Sequence, residues 1–340
     1  MAPKYRGDEE DWLDHPGRGG SQTSAGVRPK KAPAARELML PQSAANATVS
    51  EVFPMQCRVR LDDGGAELLC SYRRAKVVSK SKTDARERTP VAVGDRVRVE
   101  QKASSGAVIS GVCMRKNQLS RPAPGREHGR VHHVLAANVD LLVVVASVRQ
   151  PEFSPGLIDR FLVAAQAESI SVCIALTKAD LMTPGDQPWE IYLDLGVHVF
   201  PLSVKVHQGV DAFCEFLGSK RVVFCGPSGV GKTSLLRELL GQDVGQVGSV
   251  NAATGKGRHT TTGAVLFEGP HSAQWIDTPG VKEFGLIGIE AQDLAAFFPE
   301  FQALSCETLG CRHVQESGCQ ARGLPRYSSY LKIYQSLITD

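Results

Sequence analysis

The sequence lacks any long hydrophobic run: its most apolar stretch, residues 141–148, falls far short of the ~20 residues a membrane-spanning helix needs. No apolar segment follows Lys4, Arg6, Asp8, Glu9, Glu10 and Asp11, so a conventional secretory signal is not expected and the cytoplasm is the expected compartment. Aromatic residues are few, at 6%, and the net charge is only +3, which by itself names no partner. Nine cysteines, an odd number, are thinly spread except for three near the C-terminus, which argues against a disulfide framework and leaves a metal site to consider. What remains is an ordinary globular composition, 42% hydrophobic and 22% charged, in 340 residues, enough for two or three domains.

Charge is unevenly placed. Residues 71–130 hold fifteen Lys and Arg against five Asp and Glu, a local balance of +10 that leaves −7 for the rest. Such a segment suits an anionic polymer, because each neutralised phosphate releases counterions. Residues 1–46 mix Gly, Pro, Ser, Ala and both charges without periodicity and are expected to be a disordered tail. Residues 47–119 change to short alternating runs with turn signals: Cys57-Arg58-Val59-Arg60-Leu61, a turn at Asp62-Asp63-Gly64-Gly65, a return at Ala66-Glu67-Leu68-Leu69-Cys70, then 93–99. This predicts a small barrel, and with only Phe53 and Tyr72 for stacking it suits the backbone of folded RNA better than single-stranded bases. Residues 121–129 read as a linker. From 130 to 287, apolar runs at 141–148, 172–176, 197–202, 221–225 and 274–276 alternate with helix-like stretches, which predicts an α/β layer around a mostly parallel sheet.

Within that layer, the run 221–225 leads into Gly226-Pro227-Ser228-Gly229-Val230-Gly231-Lys232-Thr233, followed by Ser234 and a helical pattern. This is G-x-x-x-x-G-K-[ST] in its required strand-to-helix context. Its glycines let backbone N–H groups surround phosphates, Lys232 neutralises them, and the Thr233 hydroxyl suits Mg²⁺. Asp277-Thr278-Pro279-Gly280 lies 45 residues beyond Lys232, after a further strand, where Asp277 suits Mg²⁺ and Gly280 a γ-phosphate. Between them, Gly257-Arg258-His259-Thr260-Thr261-Thr262 reads as a switch loop, with Thr261 preferred over Thr260 as Mg²⁺ ligand. Thr177-Lys178-Ala179-Asp180 closes another strand, and a carboxylate at Asp180 accepts from guanine N1–H and N2–H₂ together, which favours GTP over ATP. Ser203-Val204-Lys205 is a candidate second base loop. Lys178 precedes Lys232 by 54 residues, the reverse of the usual motif order, so the domain reads as circularly permuted.

Cys306, Cys311, His313 and Cys319 place three of the nine cysteines and a histidine within fourteen residues. Three thiolates and an imidazole form a closed tetrahedral set suited to one structural Zn²⁺.

Taken together, the permuted guanine and phosphate loops, Asp277-Thr278-Pro279-Gly280, the preceding basic barrel and the C-x4-C-x-H-x5-C spacing resemble the bacterial ribosome small-subunit-dependent GTPase A (RsgA) family over residues 47–335. The resemblance implies a multi-domain chain: an OB-like barrel at 47–119, a permuted α/β P-loop GTPase domain at 130–287, and a small α-helical zinc-binding domain at 288–340. It also implies GTP hydrolysis stimulated by the small (30S) ribosomal subunit and a role in that subunit's late maturation through rRNA. Separately, the chain is expected to be a monomer, and because it lacks a spanning run no membrane association is expected. Val281 stands where Ras-like enzymes carry a water-orienting Gln, so slow hydrolysis in isolation is expected, with His259 the candidate to orient water. Gly229 stands where potassium-activated GTPases have Asn, so potassium dependence is not expected.

Two other classes fit part of this pattern. A metabolic P-loop kinase would make Asp180 incidental, and an RNA-binding module could hold GTP without turnover. Preference for GTP over ATP separates the first, and subunit-stimulated phosphate release the second.

Overall fold

Strands that alternate inward and outward residues bury one face each, and five of them close the first part of the chain into a barrel. In the computed structural model, which describes residues 40–72, 86–87, 91–102, 106–122, 131–185, 187–241, 264–278 and 284–339, these are β1 (Ala47–Phe53), β2 (Gln56–Leu61), β3 (Glu67–Ser71) and, after a two-residue strand β4 (Arg86–Glu87), β5 (Arg96–Lys102) and β6 (Gly106–Val112). Pairings β1–β2, β2–β3, β5–β6 and β1–β5 are antiparallel and β3–β6 is parallel, which leaves the barrel no open edge. Val49, Cys57, Val59, Cys70, Val97, Val99 and Ile109 fill its interior.

The barrel's contacts begin inside the span expected to be a tail. Leu40 N–H donates to the Val112 carbonyl (3.2 Å), and the Asn46 side chain exchanges hydrogen bonds with the Val99 backbone (2.8 and 3.1 Å). These are tertiary contacts, to which local composition is blind. The other end also differs from expectation: the last barrel strand stops at Val112, and Arg121 and Pro122 belong to β7 (Gln118–Pro122), not to a linker. β7 pairs antiparallel with β8 (Val131–Ala137) in a small sheet of order β4-β8-β7. With Leu119 its one large apolar residue and Pro122 at its end, β7 has almost no local strand signal; pairing and the burial of Leu119 in the main core make it one.

The main sheet runs β11-β10-β9-β12-β14, all parallel, from β9 (Leu141–Ser147), β10 (Ser171–Thr177), β11 (His198–Pro201), β12 (Arg221–Cys225) and β14 (Gln274–Asp277). Its helices are α1 (Pro155–Ala167), α2 (Glu190–Asp194), α3 (Val210–Leu217) and α4 (Lys232–Leu240). Leu142, Val144 and Ala146 point into a core that includes Phe161 of α1, whereas Leu141, Val143 and Val145 point into one that includes Phe213 of α3 and Leu235 of α4. Burial on both faces is why these strands read as continuous apolar runs. β13 (Val265–Glu268) is antiparallel to β14 and joins the sheet to the barrel by pairing Val265 with Glu51 of β1. An Arg60–Glu268 ion pair and the Arg221 guanidinium, which donates to the Gly94 carbonyl (2.9 Å), reinforce that junction.

The C-terminal region is a series of short 3₁₀ turns followed by α5 (Tyr327–Thr339), which packs on α1. It is tied down by Arg326, whose side chain is 4% exposed: Nε donates to Asp159 Oδ1 (2.7 Å), Nη1 to both Glu300 oxygens (3.1 Å), and the guanidinium lies 4.6 Å from the Phe298 ring centre. Asp159 is fully buried and also accepts from the Tyr192 hydroxyl (3.1 Å). Removing one partner of such a pair strands a buried charge. Arg326→Met is therefore expected to lower the unfolding free energy by about 3 kcal/mol in urea titration, with partial recovery when Asp159→Asn is added.

Candidate functional site

Parallel strands end together, so the loops that follow β9, β10, β11, β12 and β14 gather at one edge of the sheet. The loop from β12 to α4 holds Gly226, Pro227, Ser228, Gly229, Val230 and Gly231, and Lys232, Thr233 and Ser234 open the helix. Gly226 has φ +151°, and a Cβ there would lie 2.3 Å from the Val145 carbonyl oxygen, so only glycine lets the loop run this close to β9. Gly231, at φ +90° before Lys232, makes the left-handed turn into α4. The result is a glycine-bent loop that leads directly into a helix N-terminus, a geometry suited to phosphate. Lys232 is paired with Asp277 at the end of β14, with side chains 13% and 19% exposed. The next residue, Thr278, donates its hydroxyl to the Phe224 carbonyl (3.0 Å), which fixes the end of β14 against β12.

The loop after β10 is braced against the phosphate loop. The Thr177 hydroxyl sits between the carbonyls of Val230 and Ala146, 3.0 Å from the latter. Lys178, left-handed at φ +58°, extends Nζ to the carbonyls of Gly229 (2.9 Å) and Gln150. Ala179 is buried and its N–H donates to Leu202 (3.0 Å), which leaves Asp180 at the rim of the site. Ser203 Oγ donates to Asp180 Oδ1 (2.7 Å) and Lys205 Nζ lies 3.8 Å from Oδ2. The Ser203 hydroxyl above all, with help from Lys205, holds the Asp180 carboxyl below the usual carboxylate range, so it is an acceptor at neutral pH. The structure thus brings 177–180, 203–205, 226–234 and 277 together. Nothing in the sequence marks Gln150 for this role, because a backbone carbonyl carries no residue-type signal.

His259, Thr260, Thr261, Gly280 and Val281 lie outside the described residues, as do Arg73, Arg74 and Lys76 of the basic segment. Part of that segment's charge is used internally. Arg96 is paired with Asp62 (2.5 Å) and Arg115 with the fully buried Asp95 (2.7 Å), whereas Arg98 and Lys116 are exposed.

In the C-terminal region Cys306, Cys311, His313 and Cys319 converge, with one ligand atom from each lying within 4.8 Å of the others. His313 Nδ1 is 3.6, 3.6 and 3.4 Å from the sulfurs of Cys306, Cys311 and Cys319. Typical Zn–S and Zn–N bond lengths give a tetrahedral S···N edge of about 3.6 Å, so the donor set fits a four-coordinate ion. Glu316 ties the loop beside it: its own backbone N–H and those of Arg312, Val314 and Gln315 pull its carboxyl down to about 2. Phe301 packs edge-on against the His313 ring (5.0 Å).

Residues 112–287, just over half of the chain, match the family profile described as RsgA GTPase. Among curated proteins, the small ribosomal subunit biogenesis GTPase RsgA of Gemmatimonas aurantiaca is 35% identical over 280 residues, covering 78% of this chain and 90% of the relative. Its namesake from Chlorobaculum parvum is 32% identical, covering 78% and 91%. Among solved structures, YjeQ from Thermotoga maritima aligns with TM-score 0.64 and 27% identity over 87% of this chain and 99% of that one. YloQ, described as a circularly permuted GTPase, aligns with TM-score 0.58 over 91% and 98%; at 23% identity it bears on the fold alone. No helix among the described residues is long and apolar enough to cross a membrane. With matches of this extent and identity, the chain belongs to the RsgA GTPase family.

Proposed function

We propose that the chain binds and hydrolyses GTP at the sheet edge and uses this cycle in late maturation of the small ribosomal subunit. The observation that carries this reading is the convergence of four separate loops, with Asp180 oriented by Ser203 at one end and Gly226 to Ser234 facing Asp277 at the other. Lys232 neutralises the terminal phosphates. The Thr233 hydroxyl and Asp277 are the described candidates to hold Mg²⁺, which when bound offsets phosphate charge. Asp180 accepts from guanine N1–H and N2–H₂, a donor pair adenine lacks. Thr261, His259 and Gly280 complete the set by sequence position, with His259 the candidate to orient water where Val281 cannot. Such a site is slow alone and is completed by the subunit. The barrel and its exposed cations supply salt-dependent attraction to rRNA, and the protein acts in the cytoplasm as a monomer. Cys306, Cys311, His313 and Cys319 hold one structural Zn²⁺, which fixes a region with little other regular structure.

In calorimetry, the parent chain is expected to bind GTP far more tightly than ATP. Asp180→Asn should erode that preference, and Lys232→Ala should abolish turnover while the folded CD spectrum persists; equal affinity for both nucleotides would overturn the guanine assignment. Sedimentation with isolated small subunits should be strong with a non-hydrolysable GTP analogue and weak with GDP, and equal sedimentation in both states would leave only a nucleotide-binding RNA protein.

Metal analysis should find about one Zn²⁺ per chain, reduced in Cys311→Ser together with increased proteolysis of the C-terminal region. A stable, metal-free preparation would refute the zinc assignment.

A further inference from the structure

The turn after β11 does more than present Ser203 to Asp180. Ser203 and Gln208 exchange backbone hydrogen bonds (3.1 and 2.9 Å), so the turn is closed between them, with His207 inside it next to Gln208. His207 is left-handed, at φ +53°, a conformation a non-glycine residue keeps only when its surroundings hold it there. Its Nδ1 lies 2.7 Å from Glu238 Oε1 on α4, and its Nε2 lies 3.3 Å from Asp211 Oδ1 on α3. Two carboxylate oxygens facing both ring nitrogens require a hydrogen on each, which only the imidazolium has. α4 is the helix that Lys232 opens.

We propose that His207 is a positioning residue which, when protonated, clamps the base-side turn to the helix of the phosphate loop and so makes guanine-nucleotide affinity depend on pH. The inference rests on the assignment of Asp180 and Gly226 to Ser234 to the nucleotide. The route is short: Glu238 holds His207, its neighbour Gln208 holds Ser203, and Ser203 orients Asp180. Among the described residues, the charged groups facing the ring are Glu238 from α4 and Asp211 from α3, while Lys205 on its own turn is directed at Asp180. The Glu238 hydrogen bond first, then that to Asp211, raises the pKa of His207. The clamp is thus fully present at low pH and is lost as pH rises through the raised value. With the side chain 54% exposed, solvent keeps the effect modest.

Calorimetric GDP binding by the full chain, from about pH 6 to about pH 8.5, tests this with His207→Gln, His207→Arg and Glu238→Gln. The ratio of variant to parent affinity is read at each pH, so titration of the nucleotide's own phosphate cancels. His207→Gln and Glu238→Gln are expected to bind about two- to fivefold more weakly than the parent at the acid end and to converge with it at the alkaline end. His207→Arg, cationic throughout, is expected to lose less affinity than the parent across the same range. By reciprocity, GDP should raise the pH at which the His207 ring titrates, followed by NMR. Ratios that stay flat with pH, or a His207 titration that GDP leaves unmoved, would overturn the inference while leaving the base site intact. A parent chain that binds GDP no better than ADP would overturn the base-site reading itself, and the clamp with it.

Discussion

The candidate site depends on β9 being buried on both faces. All seven of its residues are buried, so helices must cover it above and below, and β10 and β12 must flank it as parallel neighbours. Parallel pairing then forces the ends of β10 and β12 to the same edge, one on each side of β9. Gly226 runs against the Val145 carbonyl, and from the other side Lys178 reaches over to Gly229. Two loops 54 residues apart, in reversed order, become one site because sheet register ignores chain order. Permutation is tolerated for that reason.

Charge is allotted in a way that composition does not reveal. Arg326, Arg115, Arg96 and Arg221 all serve internal junctions, each held by carboxylates or carbonyls that its planar fork can satisfy at several points. At the phosphate loop the charged group is instead a lysine, a compact cation on a flexible stem. Its partner Asp277 is only partly buried, so the pair is exchangeable in a way that the Asp159–Arg326 pair is not. On the proposed reading, a phosphate entering the loop would compete for Lys232 and leave Asp277 available to a divalent ion. On that reading one ion pair would link nucleotide binding to metal binding.

Much of this was legible in sequence where a feature is local. The β9 run, the glycines and lysine of 226–232, Thr177 to Asp180 and the C-x4-C-x-H-x5-C spacing each carry their chemistry in residue type and interval. Features that arise from tertiary pairing were not. The barrel's start at Leu40 depends on the Val112 carbonyl, β7 is a strand because β8 pairs with it, and Arg326 reads as one more surface arginine until Asp159 is seen beneath it. The bracing of Lys178 on two backbone carbonyls is invisible for the same reason. Residue type and interval name the candidate residues; the contacts that brace them, main-chain carbonyls for Thr177 and Lys178 and the Ser203 hydroxyl for Asp180, arise only in the fold.

In the C-terminal region, side-chain anchors stand in for scarce regular structure. Between residue 288 and α5 the chain makes only 3₁₀ turns, whose hydrogen bonds are too few to fix a fold. Its order comes from two anchors instead. Phe298, Phe301 and Tyr330 form an aromatic cluster that Arg326 caps on the α1 side, while Phe301 and Tyr330 touch the His313 ring on the other. The cysteine–histidine set and the buried ion pair therefore bear on the same few aromatic rings, so loosening either one loosens the seat of the other. These rings thus link a donor set suited to a metal ion on one side to a buried charge pair on the other.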